Sequence, residues 1–173
     1  GALLLVLLAV SPAALAQVEA PSFTNVPYDF DTGCVAAPVS GSGDLEAYDL
    51  LILGTSSWHD EGDRLQNDWN DAYDCLREAQ LEGAKVALYG VGDQVGYPDA
   101  FVDGMKALHD LAVAAGATII GKWPDKGYDY SSSAAVEGDY FLGLPLDVEN
   151  QDQLTEPRLT AWVSQLKAEA DIS

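Results

Sequence analysis

Short apolar segments that end in glycine alternate with amphipathic stretches from Tyr48 onward. Two of these segments, residues 50–54 and 85–90, consist almost entirely of apolar side chains. Such runs are typical of strands that are buried on both faces of a parallel sheet. The same pattern predicts further strands at 117–121 and 140–144.

Apolar residues at helical spacing predict a helix between or after each of these strands. One helix is expected at 68–80, and a second at 99–115, where Gly116 ends it. A third is expected after Thr155, which we predict to be its N-cap. Strands and helices that alternate in this way predict an α/β fold with a doubly wound parallel sheet.

The amino-terminal part of the chain differs from the rest in charge and in hydrophobic pattern. Residues 1–47 carry no Lys or Arg, whereas residues 48–173 hold all the basic side chains. The apolar run at 2–10 is too short to span a bilayer, which needs about 20 residues. It fits either the core of a secretory signal or a buried strand. A weak strand is predicted at 34–39, and we expect both parts to form one domain.

Composition narrows the possible partners. The chain has 28 acidic and 8 basic residues, a net charge of −20, which excludes nucleic acid and anionic membranes as expected partners and favours basic proteins. Cys34 and Cys75 lack the spacing of a metal site or a disulfide framework. We therefore expect a globular domain without a structural metal.

Candidate chemistry lies in the loops after the first two regular strands. In an open parallel sheet, ligands bind outside the carboxyl ends of the strands. The loops at 55–62 and 90–101 contain the aromatic residues Trp58 and Tyr97. Two rings at the same sheet edge can enclose a flat heteroaromatic ligand between them.

The second loop has the sequence Gly92-Asp93-Gln94-Val95-Gly96-Tyr97. Together with Trp58 it closely resembles the flavin loops of long-chain flavodoxins, and the resemblance runs from Tyr48 to the carboxyl terminus. Further matching segments lie at 121–123, 127–130, 141–144, 146–151 and 162–167. Residues 123–139 correspond to the insertion that splits the last strand in the long-chain subgroup. The resemblance implies a flavodoxin-like three-layer sandwich, with a five-stranded parallel sheet and helices on both faces.

The resemblance implies a low-potential one-electron carrier that holds FMN noncovalently and is not an enzyme. Trp58 and Tyr97 would then cover the two faces of the flavin ring. The remaining residues that the resemblance places near the flavin are Thr55, Ser57, Gly90, Gly92, Asp93 and Gln94. A flavin-dependent reductase is disfavoured, because the sequence shows no nucleophile, acid/base pair or nicotinamide fingerprint.

One expected element of the family is not matched. The phosphate loop, of the form Thr-Xaa-Thr-Gly-Xaa-Thr, should fall near residues 9–16, where Ser11 alone offers a hydroxyl. Three interpretations stay open: a variant with a degraded loop, a secreted form with a signal peptide, and a damaged or misassigned amino terminus, which is slightly favoured. The alternative function is a flavodoxin-like binding or scaffold module that has lost tight FMN binding.

The resemblance also implies partners. We expect basic-faced redox proteins such as flavodoxin or ferredoxin reductases and, in photosynthetic organisms, photosystem I. We expect a monomer in the cytoplasm, or in the plastid stroma if the source is an alga. A secreted or periplasmic location would follow only if the run at 2–10 is a true signal.

Overall fold

The computed structural model describes residues 7–10, 45, 50–56 and 69–171. The strand predicted at 34–39 lies outside these residues, and the division at residue 47 stays a prediction. The elements in chain order are β1 (Leu7–Val10), β2 (Leu50–Ser56), α1 (Trp69–Glu78), β3 (Lys85–Val91), α2 (Gly104–Ala114), β4 (Thr118–Ile120), β5 (Trp123–Pro124), β6 (Val136–Glu137), β7 (Tyr140–Phe141), β8 (Leu144–Leu146) and α3 (Asp152–Glu169).

The main sheet is organised around β3. Strand β2 pairs in parallel with the full length of β3, so it occupies one edge of that strand. Strands β4 and β8 pair in parallel with the other edge, β4 along Lys85–Ala87 and β8 along Tyr89–Val91. The two short strands therefore follow one another along the same side of β3.

The apolar side chains of β2 point alternately to the two faces of this sheet. Leu51 and Leu53 belong to the core that includes side chains of α1 and α2. Leu50 and Ile52 belong to a second core, which contains Trp162 of α3. Because both faces are covered by helices, the molecule has three layers, and the predicted three-layer α/β class is confirmed.

The direction of β1 differs from the prediction. Strand β1 pairs antiparallel with β2, with Leu7 opposite Leu53 and Val10 opposite Leu50, so the five-stranded sheet is not parallel throughout. An uninterrupted apolar run has no period-two pattern that could set its direction or register. The sequence could therefore predict a strand here without predicting which way it runs.

The single strand predicted at 140–144 is wrong, because the chain changes sheets within it. Strand β7 forms an antiparallel three-stranded sheet with β5 and β6, whereas β8 joins the main sheet. Between them, a Cβ on Gly143 would lie 2.0 Å from the carbonyl oxygen of Leu88. Glycine is required where the chain crosses this closely to β3.

The predicted N-cap of the last helix is also wrong. Helix α3 begins at Asp152 with Gln151 as its N-cap residue, so Thr155 lies inside the helix, where its side chain is buried. A turn at residues 147–151, closed by the amide of Gln151 donating to the carbonyl oxygen of Asp147 (3.0 Å), precedes the helix. The helix therefore begins before it reaches Thr155. The side chains of Leu159, Trp162 and Leu166 are buried in the core, as their spacing predicted.

Candidate functional site

The carboxyl ends of β2 and β3 lie side by side. Thr55 is paired with Gly90, and Ser56 with Val91. The loop at 92–97, which contains Tyr97, leaves the sheet at this end. The structure thus brings Thr55 to the same sheet edge as the second candidate loop, while the predicted site residues Ser57 and Trp58 lie outside the described residues.

Asp93 organises the loop that follows β3. Its Oδ1 accepts hydrogen bonds from the backbone N–H groups of Val95 (3.0 Å) and Gly96 (2.7 Å) and from Nδ2 of Asn150 (2.8 Å). The Gly96 amide, followed by the Asn150 side chain, lowers the pKa of the Asp93 carboxyl. The amide of Tyr97 also donates to the Asp93 carbonyl (2.9 Å), which closes the turn.

Gln94 is buried beneath this turn. Its Nε2 donates to Oδ2 of Asp147 (2.7 Å), and its Oε1 accepts from the backbone N–H of Asp129 (2.5 Å). The backbone N–H of Gln94 also donates to Oδ2 of Asp147 (3.2 Å). Both polar atoms of the Gln94 side chain are therefore engaged inside the protein, and Asp147, which the sequence analysis did not single out, is their partner.

The two glycines of the loop allow close packing against the turn before α2. A Cβ on Gly90 would lie 3.0 Å from Cβ of Val102, and one on Gly92 would lie 3.1 Å from the ring of Phe101. Val102 itself has a φ of 51°, an unusual conformation for a β-branched residue that costs on the order of 1–3 kcal/mol. The strand end and this strained turn pack so closely that a side chain at either glycine would require the turn to shift by a few tenths of an ångström.

The chain between β4 and β8 supports the same turn. The N–H groups of Ser131 (2.8 Å) and Ser132 (3.0 Å) donate to the carbonyl oxygen of Pro98, and Oγ of Ser133 donates to that of Phe101 (2.6 Å). The Phe101 ring also lies within 6.1 Å of three other aromatic rings, centroid to centroid, those of Tyr128, Tyr130 and Phe141. This segment therefore holds residues 98–101 from outside.

Two side chains define what the site offers a ligand. Tyr97 is 48% exposed and Val95 is 67% exposed, so one tight turn presents two large apolar side chains.

At the end of β2, Ser56 is buried, and its hydroxyl has no hydrogen-bond partner in the part of the chain that the structure describes. Ser56 belongs to the same hydroxyl-rich run as the predicted site residues Thr55 and Ser57 but was not itself predicted.

The described residues contain no group of His, Cys, Asp and Glu side chains that could hold a metal ion. Within the same residues, no helix has the length and apolar character needed to cross a membrane. The candidate site is thus an aromatic and polar sheet edge, which suits a flat organic ligand.

Comparison with known proteins identifies the class that this fold and site define. The family model for flavodoxins matches residues 18–162. The chain is 45% identical over 128 residues to a flavodoxin of Synechococcus elongatus, covering 74% of each chain. It is 45% identical over 130 residues to a flavodoxin of Klebsiella pneumoniae, covering 72% of this chain and 74% of the relative.

Solved structures agree with these relatives. The crystal structure of a Fusobacterium nucleatum flavodoxin bound to flavin mononucleotide matches with a TM-score of 0.68 and 31% identity, covering 73% of this chain and 75% of that one. The chain belongs to the flavodoxin family.

Proposed function

We infer that this protein binds FMN and carries single electrons between larger redox proteins, and that it is an electron-transfer protein rather than an enzyme. The observation that carries this inference is the position of the loop after β3. It lies at the carboxyl ends of the parallel strands, where doubly wound sheets bind their ligands. The chain that contains this loop is 45% identical to a flavodoxin. The Fusobacterium flavodoxin is itself bound to FMN. FMN supplies the site with a group that accepts and releases electrons one at a time.

The residues present fit such a ligand. The exposed Tyr97 ring offers an apolar surface against which a flat heteroaromatic can stack. Hydrogen bonds from Val95 and Gly96 to Asp93 keep the turn that carries this ring in one shape. We propose that Tyr97 covers one face of the flavin ring and that Trp58 covers the other, as the resemblance implies.

The other proposed contacts divide into two sets. Thr55 and Ser57 would meet the flavin or its ribityl chain, while Gly90, Gly92 and Asp93 would meet the polar edge of the ring. Because the Gln94 side chain is engaged inside the protein, we propose that Gln94 contributes by holding the loop. This assignment favours backbone groups over side chains at the polar edge.

We further propose that the protein belongs to the long-chain subgroup. Support comes from the segment between β4 and β8, which forms a separate three-stranded sheet and interrupts the edge of the main sheet beside β3. The insertion was predicted at residues 123–139, and the small sheet spans Trp123 to Phe141.

We propose that the redox partners present basic surfaces, as flavodoxin or ferredoxin reductases and photosystem I would. Two exposed acidic residues lie beside the loop: Asp99 follows it in the chain, and the backbone N–H of Asp129 donates to Gln94. No Lys or Arg occurs in the chain between Lys85 and Lys106. A net charge of −20 attracts such partners over long range. We expect the protein to act as a monomer in the cytoplasm, or in the stroma if its source is an alga.

A direct test is to titrate the purified apoprotein with FMN and follow the quenching of flavin fluorescence. The loaded protein is then mixed with a reduced pyridine-nucleotide-dependent flavodoxin reductase, and reduction of the bound flavin is followed by absorbance. Saturable binding followed by reduction through the reductase supports the carrier. Absence of FMN binding would instead support the scaffold alternative.

A further inference from the structure

A buried carboxylate lies behind the candidate flavin loop. Asp147 directly follows β8 and is only 1% exposed. Its two oxygens accept hydrogen bonds from the backbone and side-chain amides of Gln94, the backbone amide of Glu149, and both amide groups of Asn150. Burial of a carboxylate is costly, and these N–H donors offset that cost.

The carboxylate reaches the loop by two routes. The first is direct, through the backbone N–H (3.2 Å) and Nε2 (2.7 Å) of Gln94, both donating to Oδ2 of Asp147. The second passes through Asn150, whose Nδ2 donates to Asp147 and also to Oδ1 of Asp93 (2.8 Å). Because Asp93 closes the turn before Tyr97, both routes end in the segment that presents the aromatic ring.

The orientation of the Gln94 amide is determined by its neighbours. Oε1 faces the backbone N–H of Asp129, which can only donate, so Nε2 must face Asp147, which as a carboxylate can only accept. If Asp147 carried an amide instead, its NH₂ would face other donors. The side-chain amide of Gln94 could not rotate by 180° to accept from that NH₂, because its own NH₂ would then face the backbone N–H of Asp129.

We propose that Asp147 is a positioning residue for flavin binding, which holds the loop at 92–97 in its binding shape through Gln94 and Asn150. We call this set, Asp147, Gln94 and Asn150, the loop clasp. The proposal rests on the proposed function. It assigns the clasp a role in presenting the Tyr97 ring, with no contact between Asp147 and the ligand.

The test compares Asp147→Asn with a matched control in the same protein. Asp147→Asn keeps the size of the side chain and replaces one acceptor with a donor. The control, Trp162→Phe, removes a buried hydrogen bond from Nε1 to the carbonyl oxygen of Gly121 (2.7 Å), beyond the end of β4. Both variants lose buried hydrogen bonding, but Trp162→Phe leaves the loop clasp untouched.

The first readout needs no ligand. Hydrogen–deuterium exchange of the apoprotein should show amides at 94–97 exchanging about tenfold faster in Asp147→Asn than in wild type, and unchanged in Trp162→Phe. The second readout is the Kd for FMN and for riboflavin. Both should rise about tenfold in Asp147→Asn, which is the scale of one lost hydrogen bond to a charged acceptor, and rise equally because the loop contacts the ring system that both ligands share.

A second variant, Gln94→Ala, protects the test against misfolding. It leaves the bonds of Asp147 to Glu149 and Asn150 in place and should shift exchange and both Kd values in the same direction. Equal exchange and equal flavin affinity in wild type and in whichever of these two variants folds would overturn the loop clasp. A wild-type protein that binds neither flavin would instead overturn the proposed function, and the exchange readout would still decide whether the clasp holds the loop.

Discussion

Replacement of Tyr97 by Ala isolates the contribution of the exposed ring to flavin binding. The backbone of this residue forms the turn, since its N–H donates to the Asp93 carbonyl (2.9 Å) and its own carbonyl accepts from Ala100 (3.3 Å). Alanine retains both bonds. The variant should therefore keep these two backbone bonds and lose the ring surface that we propose to lie against the flavin.

The expected loss follows from the exposed area. A fully buried aromatic side chain removes about 150–250 Å² from water. With 48% of Tyr97 exposed, a ligand has on the order of 70–120 Å² left to cover, which at about 25 cal/mol/Å² is about 2–3 kcal/mol. A flat ligand covers one face of the ring, so we expect a loss of about 1–2 kcal/mol, or a rise in Kd of about 5- to 30-fold.

Flavin fluorescence quenching provides the Kd values, and two control variants are available. Tyr97→Phe keeps the ring and should bind FMN almost as tightly as wild type. Tyr140→Ala removes an aromatic side chain of similar exposure, 49%, from the small three-stranded sheet, and should leave the Kd unchanged. If Tyr97→Ala and Tyr140→Ala have the same affinity as wild type, the ring does not contact the flavin and the site assignment fails.

Four further outcomes are expected. FMN and riboflavin should bind with comparable affinity in equilibrium titrations, since the sequence at 9–16 offers the phosphate few donors, and a much tighter FMN complex would contradict that interpretation. Stopped-flow reduction by a basic-faced reductase should slow steeply as the Debye length falls from about 30 Å at 0.01 M salt to about 10 Å at 0.1 M, and a flat profile would rule out electrostatic steering. Trp162→Phe should lower the free energy of unfolding by about 1–3 kcal/mol in urea titrations, because it leaves the carbonyl of Gly121 without its buried donor, and an unchanged midpoint would contradict the bond. The pKa of Asp93 is lower in the folded protein than in the unfolded chain, so its carboxylate stabilises the fold above the unfolded pKa and this stabilisation disappears as the pH falls through the folded pKa. Asp93→Asn should therefore be less stable than wild type at about pH 6 in urea titrations, and the difference should shrink only as the pH falls below the unfolded pKa of about 3.9.

The central strands could be predicted from the sequence because a strand that is buried on both faces has an uninterrupted run of apolar residues. Residues 50–54 and 85–90 are almost entirely apolar and show no alternation, and the structure places them in β2 and β3 at the middle of three layers. The helices after them were predicted from apolar residues at helical spacing, and α1 and α2 lie within the predicted ranges. Each of these features follows from the local pattern of apolar residues along the chain.

Features that depend on distant residues could not be predicted in this way. The break between β7 and β8 occurs because Gly143 passes close to the backbone of Leu88, which is remote in sequence. The start of α3 depends on the turn at Asp147, so the sequence preference of Thr155 for a cap position did not decide it. The direction of β1 has no local signal, since an apolar run has the same pattern in either direction.

In the candidate site, too, some features depend on the local sequence and others on distant residues. Gly90 and Gly92 admit the turn at Phe101 and Val102, Asp93 closes the loop, and Gln94 ties it to Asp147. Most residues of the motif therefore determine the shape of the loop, and this shape leaves the ring of Tyr97 exposed. A Cβ on Gly92 would lie 3.1 Å from the ring of Phe101, so the turn would have to shift, and we expect Gly92→Ala to weaken flavin binding through the geometry of the loop.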